Sequence, residues 1–173
     1  ASGASGASGA SGTPGPSVAP TDPLESRLRG GVQRIRAAVA ELYASAGADP
    51  ATPQEVSRTV GINRNLAWKV SRILAAEEPL AAVEHLPGAA GLAIMLEAFR
   101  ASGASQAAAE EARRAVEAFD ELVRVEIGDR ATLEMVVGGM LPRELQLERD
   151  RAARRLAFQG NSATWGIQAE VQF

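Results

Sequence analysis

Apolar residues recur at intervals of three and four along most of this chain, the spacing of one face of a helix, while strict alternation is rare. The first run is Leu24, Leu28, Val32, Ile35, Val39 and Leu42. Asp22 stands before it as a cap and Pro23 at its first helical position, so a long helix is predicted until the stretch 47–50 breaks it. Gly30 and Gly31 inside that helix cost roughly 1 kcal/mol each relative to alanine, which predicts a kink or a close helix contact. A pair of shorter runs follows, Val56 and Val60, then Ile62, Leu66, Ala67, Val70, Ile73 and Leu74. Thr52, Pro53 and Glu55 match a capping box at the start of a helix over 53–60. Gly61 ends that helix, because glycine takes the left-handed conformation without steric cost. Asn63 caps the next one, which runs to about residue 76.

Beyond Ala76 the sequence EEPLAAVEHLPGAAG carries a proline at each end of a short apolar patch, so the helix stops and an irregular connection or small wing follows. A two-stranded wing needs two alternating runs, and only residues 80–83 qualify; a short helical turn over 80–86 is the other reading. Helical spacing then resumes with Leu92, Met95, Leu96 and Phe99, ending near Ser102 and Gly103. Ser105 caps a longer helix whose apolar stripe is Ala108, Ala112, Val116, Phe119, Val123 and Ile127, opposite Glu110, Arg113, Glu117, Asp120 and Arg124. Gly128 ends it, and Asp129 caps a third with Leu133, Val136, Val137, Met140 and Leu141 on its apolar side. Pro142 opens a last helix, 143 to about 158, with a thin stripe of Leu145, Ala152 and Leu156. Residues 159–162 break the pattern, and the final WGIQAEVQF alternates like a strand that finds no partner in this chain. It pairs in a dimer, or the chain is a fragment. Residues 1–21 begin with four Ala-Ser-Gly repeats and continue TPGPSVAPT, a disordered tail or linker with nothing to bury.

Residues 52–76 combine a small residue, Ser57, four positions before Gly61, an apolar plug, Ile62, directly after it, and apolar Ala67 and Val70 six and nine positions past it. This stretch resembles the helix-turn-helix of bacterial transcription regulators. The resemblance implies a tri-helical DNA-binding domain whose second motif helix reads the major groove. With the apolar stripe turned inward, that helix presents Asn63, Arg64, Asn65, Trp68, Lys69 and Arg72. Arginine pairs bidentately with guanine and asparagine with adenine, while Lys69 and Arg72 suit phosphate oxygens. Gln54 and Arg58, on the preceding helix, would flank the groove and touch the backbone. No acid occurs from Asn63 to Ala76, whereas an ordinary solvated face mixes both signs. Trp68 either packs as core against the long first helix or contacts the groove or wing.

Charge sharpens the picture. The net charge is −3, but residues 22–76 hold eight Arg or Lys against five acids, and residues 77–127 hold four against ten. A basic front and an acidic middle fit a DNA-binding module joined to something else. Arg27, Arg29, Arg34 and Arg36 are expected to face outward, as solubilising groups or phosphate contacts. The arginines at 143, 149, 151, 154 and 155, offset by Glu144, Glu148 and Asp150, predict an ion-paired surface helix, with DNA or a partner as the alternative contact.

Composition removes other chemistries. Without cysteine there is no disulfide, thiolate or cysteine metal site, and His85, the single histidine, precedes a Leu-Pro-Gly turn as an ordinary loop residue. Carboxylates on the helix after Ser105 are spaced as a solvated face, not as a convergent acid–base pair, so no enzyme activity, metal or cofactor is expected. No run reaches the ~18 apolar residues of a membrane helix, and no signal peptide with a charged start and apolar core is visible, so a cytoplasmic location is the default expectation. The expected fold is all-α: a tail (1–21), a tri-helical and optionally winged helix-turn-helix domain (22–87), a helical hairpin or bundle for regulation or dimerisation (88–158), and an extension (159–173). The expected partners are double-stranded DNA and a second copy, joined through the stripe between residues 105 and 141 with Phe119 and Val123 at its centre; nothing identifies an effector. A helical protein-interaction adaptor without DNA binding is the competing class.

Overall fold

The computed structural model describes residues 23–166, together with Gly3 and Gly9, with side chains as far as residue 159. Helices follow one another as α1 (Pro23–Ser45), α2 (Pro53–Val60), α3 (Arg64–Ala75), a 3-10 helix (Pro79–His85), α4 (Ala89–Ala101), α5 (Gln106–Glu126), α6 (Arg130–Met140) and α7 (Arg143–Gly166). The fold is all-α, and no strand occurs among the described residues. Caps form where short polar side chains precede apolar runs: Asn63 accepts from the Asn65 amide at 2.7 Å, Ser105 from Ala108 at 3.3 Å and Asp129 from Thr132 at 2.8 Å. The expected capping box at Thr52 does not form. Its hydroxyl turns back and donates to the Asp49 carbonyl at 3.0 Å, leaving the α2 entry without a side-chain cap.

The short helix over 79–85 resolves the connection after α3, so no wing is built there. Pro79 opens it, and Arg130 on α6 donates to the Val83 and Leu86 carbonyls at 3.1 and 2.6 Å, closing its far end. At the other end of the chain α7 passes straight through the expected break at 159–162. Gln, Gly, Asn and Ser there are weak helix formers, each costing at most about 1 kcal/mol, and none is a proline that would remove a donor. Trp165 and Gly166, expected to start a strand, close α7; residues 167–173, the expected cap Asp22 and the tail apart from Gly3 and Gly9 lie outside the described residues.

The core is one continuous cluster built on α1, whose Leu28, Val32, Ile35, Val39 and Leu42 are all buried. Each such side chain contributes on the order of 1.5–3 kcal/mol. Its principal partner is α5, whose Ala108, Ala112, Ala115, Val116, Phe119 and Val123 face it. Small residues set the spacing. A Cβ placed on Gly31 would lie 2.7 Å from the Phe119 ring, so α1 is unbroken and Gly31 marks a close helix contact, while nothing lies within 4 Å of the equivalent position on Gly30. The α5 stripe is therefore core within the chain, and Phe119 and Val123 are not at an exposed surface where a second copy could bind. The buried cluster includes residues on both sides of positions 87 and 88, among them Leu86 and Leu92.

Charge ties the same elements together. Arg27 meets Glu126 at 2.6 Å, Arg34 meets Glu111 at 3.3 Å, and Arg29 pairs with Glu25 and Glu78. Arg36 donates to the Leu74 carbonyl at 3.1 Å. All four arginines of α1, expected to face outward, hold it to neighbouring parts of the chain. No single described helix is long and apolar enough to cross a membrane.

Candidate nucleic-acid interface

Between α2 and α3 the backbone turns within three residues. Gly61 sits at φ 84°, ψ 24°, and its amide donates to the Ser57 carbonyl at 3.1 Å. A residue with a Cβ is strained there. Ser57 contributes more than small size: its hydroxyl donates to the Ile62 carbonyl at 2.7 Å and locks the turn from the inside. Ile62 is buried beneath it, and Val56, Ala67, Val70 and Ile73 complete the apolar side of the two helices. This seating fixes which face of α3 looks outward.

That face carries Arg64, Asn65, Trp68 and Arg72, all exposed, with Asn63 exposed at the cap and Lys69 half-exposed. Gln54 and Arg58 on α2 are exposed as well. Gln54, Arg58 and Arg64 border one shallow cavity, of about 730 Å³, which also takes in the start of α2. Asn63, Asn65 and Lys69 border a second, with Pro87, Gly88 and Ile94 on its far wall. Arg72 stands apart from both, on the rim of a third between the end of α3, the 3-10 helix and the start of α7. Asn63 spends its side-chain oxygen on the Asn65 amide, which leaves only its amide group to meet a ligand.

Trp68 is not core. Its side is 45% exposed, its ring meets the edge of His85 at a centroid distance of 5.5 Å, and the Arg72 guanidinium lies 5.3 Å from the ring centroid. The part His85 takes is not legible in the sequence, since the contact joins residues 17 positions apart across a connection without periodicity. Burial holds the His85 imidazole below its ordinary pKa, opposed by Glu84 and reinforced by Arg72, Lys69 and Arg149. Near neutrality the ring is uncharged.

The cations of the basic front divide cleanly. Those of α1 are engaged within the chain, as described above. Arg58, Arg64 and Lys69 make no ion pair or side-chain hydrogen bond among the described residues, and the Arg72 guanidinium touches only the Trp68 ring. The α2–α3 face thus retains four positive groups that form no ion pair among the described residues. Groups of three or more metal-ligating side chains are absent from the described residues. Comparison of the chain with protein-family models, curated proteins and solved structures finds no match.

Proposed function

We propose that this chain is a sequence-specific DNA-binding protein, a transcription regulator in which α2 and α3 act as a helix-turn-helix and α3 enters the major groove. The observation that carries the proposal is the sorting of cations: every basic side chain of α1 is consumed internally, while Arg58, Arg64, Lys69 and Arg72 are left on the one face where a recognition helix needs them. Arg64 and Asn65, in the first turn of α3, stand where such a helix contacts base edges. Gln54, Arg58 and Lys69 would hold the flanking phosphates, and the charge of Arg58 and Lys69 makes affinity depend on salt. Acids elsewhere in the chain keep non-specific affinity low by repelling phosphate at range.

Binding-site selection followed by titration of variants tests the proposal. Arg64→Ala and Asn65→Ala are each expected to weaken the selected site by roughly 1–3 kcal/mol and to relax base choice. Lys69→Ala is expected to weaken all sequences alike and to reduce the salt slope by about one unit. Folded variants that all bind as the wild type does would make the outer face of α3 an ordinary solvated surface, and a wild type that shows no salt-dependent retention on DNA would favour the protein-interaction adaptor instead.

A further inference from the structure

α7 is the element that the rest of the chain does not explain. It spans 24 residues, about 36 Å at 1.5 Å per residue, and among its described side chains those that engage the body lie in the first two turns. Leu145 is half-buried, the Gln146 amide donates to the Leu141 carbonyl at 2.6 Å, and Arg149 pairs with Glu84 at 3.3 Å. From residue 150 to 159 every side chain is exposed. Over that stretch the tertiary packing that supplies most helix stability in proteins is slight.

Its two faces differ. Toward α6, Ala152, Ala153 and Leu156 line a groove of about 540 Å³ whose opposite wall is Met135 and Gly138. Met135 is 75% and Leu156 70% exposed, and the groove is lined by three acids, Glu84, Glu134 and Asp150, against one base, Arg149. Arg149 pairs with Glu84 at 3.3 Å and Arg130 with Glu134 at 3.8 Å, while Asp150 forms no ion pair among the described residues. On the other side Leu147, Arg151, Arg154 and Phe158, in steps of four, three and four, form a stripe of apolar and basic residues. Arg151 and Arg154 form no ion pair among the described residues.

We propose that the groove between α6 and α7 is filled by α7 of a second copy of this chain. The groove is apolar and its lining keeps more acids than bases, with Asp150 unpaired, and the outer stripe of α7 is apolar with basic members, so the chain carries both halves of a complementary pair. Such a pair closes around a twofold axis. Each α7 then lies between the α6 and α7 of its partner. The alanines at 152 and 153 allow the two α7 helices to approach in the middle, and each outer stripe meets the partner's Met135 and Glu134. A twofold would also present two α3 helices to DNA, but the inference does not rest on that, because it is tested without DNA.

Sedimentation of the full chain is the test. The wild type is expected to be a dimer and Leu156→Asp a monomer with unchanged circular dichroism. Reversing the acids (Glu134→Arg with Asp150→Arg) is expected to abolish self-association, and so is reversing the bases (Arg151→Glu with Arg154→Glu). Mixed together, the two charge-reversed chains are expected to form a heterodimer, because each groove then meets a stripe of opposite sign; loss of folding could not produce that result. A wild type that sediments as a monomer throughout the concentration range overturns the proposal. So does a mixture of folded variants that stays monomeric. A third overturning result is an Arg151→Glu/Arg154→Glu chain that remains dimeric while its affinity for DNA collapses, which would assign the stripe to the phosphate backbone.

Discussion

Two buried or half-buried side chains carry titrations that report on the fold directly. Tyr43, the single tyrosine, packs its ring 4.6 Å from that of Phe99, and its hydroxyl is buried with no hydrogen-bond partner among the described residues. Burial pushes its pKa up to about 12. The stability it gives is therefore full below its unfolded value of 10.0 and declines as pH rises from there towards 12. Ultraviolet absorbance is expected to show no tyrosinate in the folded protein at pH 10–11, and a midpoint near 10 would mean that Tyr43 is exposed. Tyr43→Phe is expected to raise the melting temperature, since an unsatisfied buried hydroxyl costs about 1–3 kcal/mol. His85 runs the opposite way. With its folded pKa held below 6.5 by burial, the unfolded chain takes up a proton first as pH falls, so stability is full above 6.5 and declines below it. Melting temperatures of His85→Asn are expected to fall less than those of the wild type over that interval; parallel curves would remove His85 from the buried set.

Among elements, the glycine pair in α1 makes two adjacent substitutions with opposite outcomes. Gly30→Ala fills open space on an exposed helical position and is expected to stabilise by up to about 1 kcal/mol. Gly31→Val drives a branched side chain into the buried Phe119 ring and is expected to destabilise by about 1–3 kcal/mol. Thermal melts decide, and equal shifts would mean that α1 and α5 do not touch at Gly31. The contrast shows what local sequence could convey. Helix ends were legible at Gly61, Asn63, Ser105 and Asp129, because a cap or a left-handed residue is settled by its immediate neighbours. Thr52 had the same local signal, and its hydroxyl was diverted to Asp49, which lies in a loop whose shape the signal does not encode. Exposure of Gln54, Arg58, Arg64, Asn65 and Arg72 followed from periodicity alone. The partners of Trp68, of the α1 arginines and of the α5 stripe did not, since each lies on another element and periodicity tells which face is apolar without telling what covers it.

For the molecule as a whole, the basic front and acidic middle are joined by their charges: Arg27, Arg29 and Arg34 on α1 reach Glu126, Glu78 and Glu111 in the acidic stretch. Apolar packing follows the same seam. The α2–α3 pair leans on α1, and α1 in turn is covered chiefly by α5, so the candidate DNA-reading face depends on residues of an element far along the chain. Phe119→Asp places a carboxylate at the centre of that seam, where it is 3% exposed in the native protein. Burying a charge without a partner costs several kcal/mol, a large part of the 5–15 kcal/mol that stabilises a typical domain. The expected result is cooperative loss of helical circular dichroism across the chain, with DNA affinity lost in the same transition. Were the stripe an interface between copies instead, Phe119→Asp would yield folded monomers melting near the wild-type temperature, with the α2–α3 face still able to bind a half-site. Following circular dichroism and DNA binding through one thermal titration separates the two, because only a shared core makes them fall together.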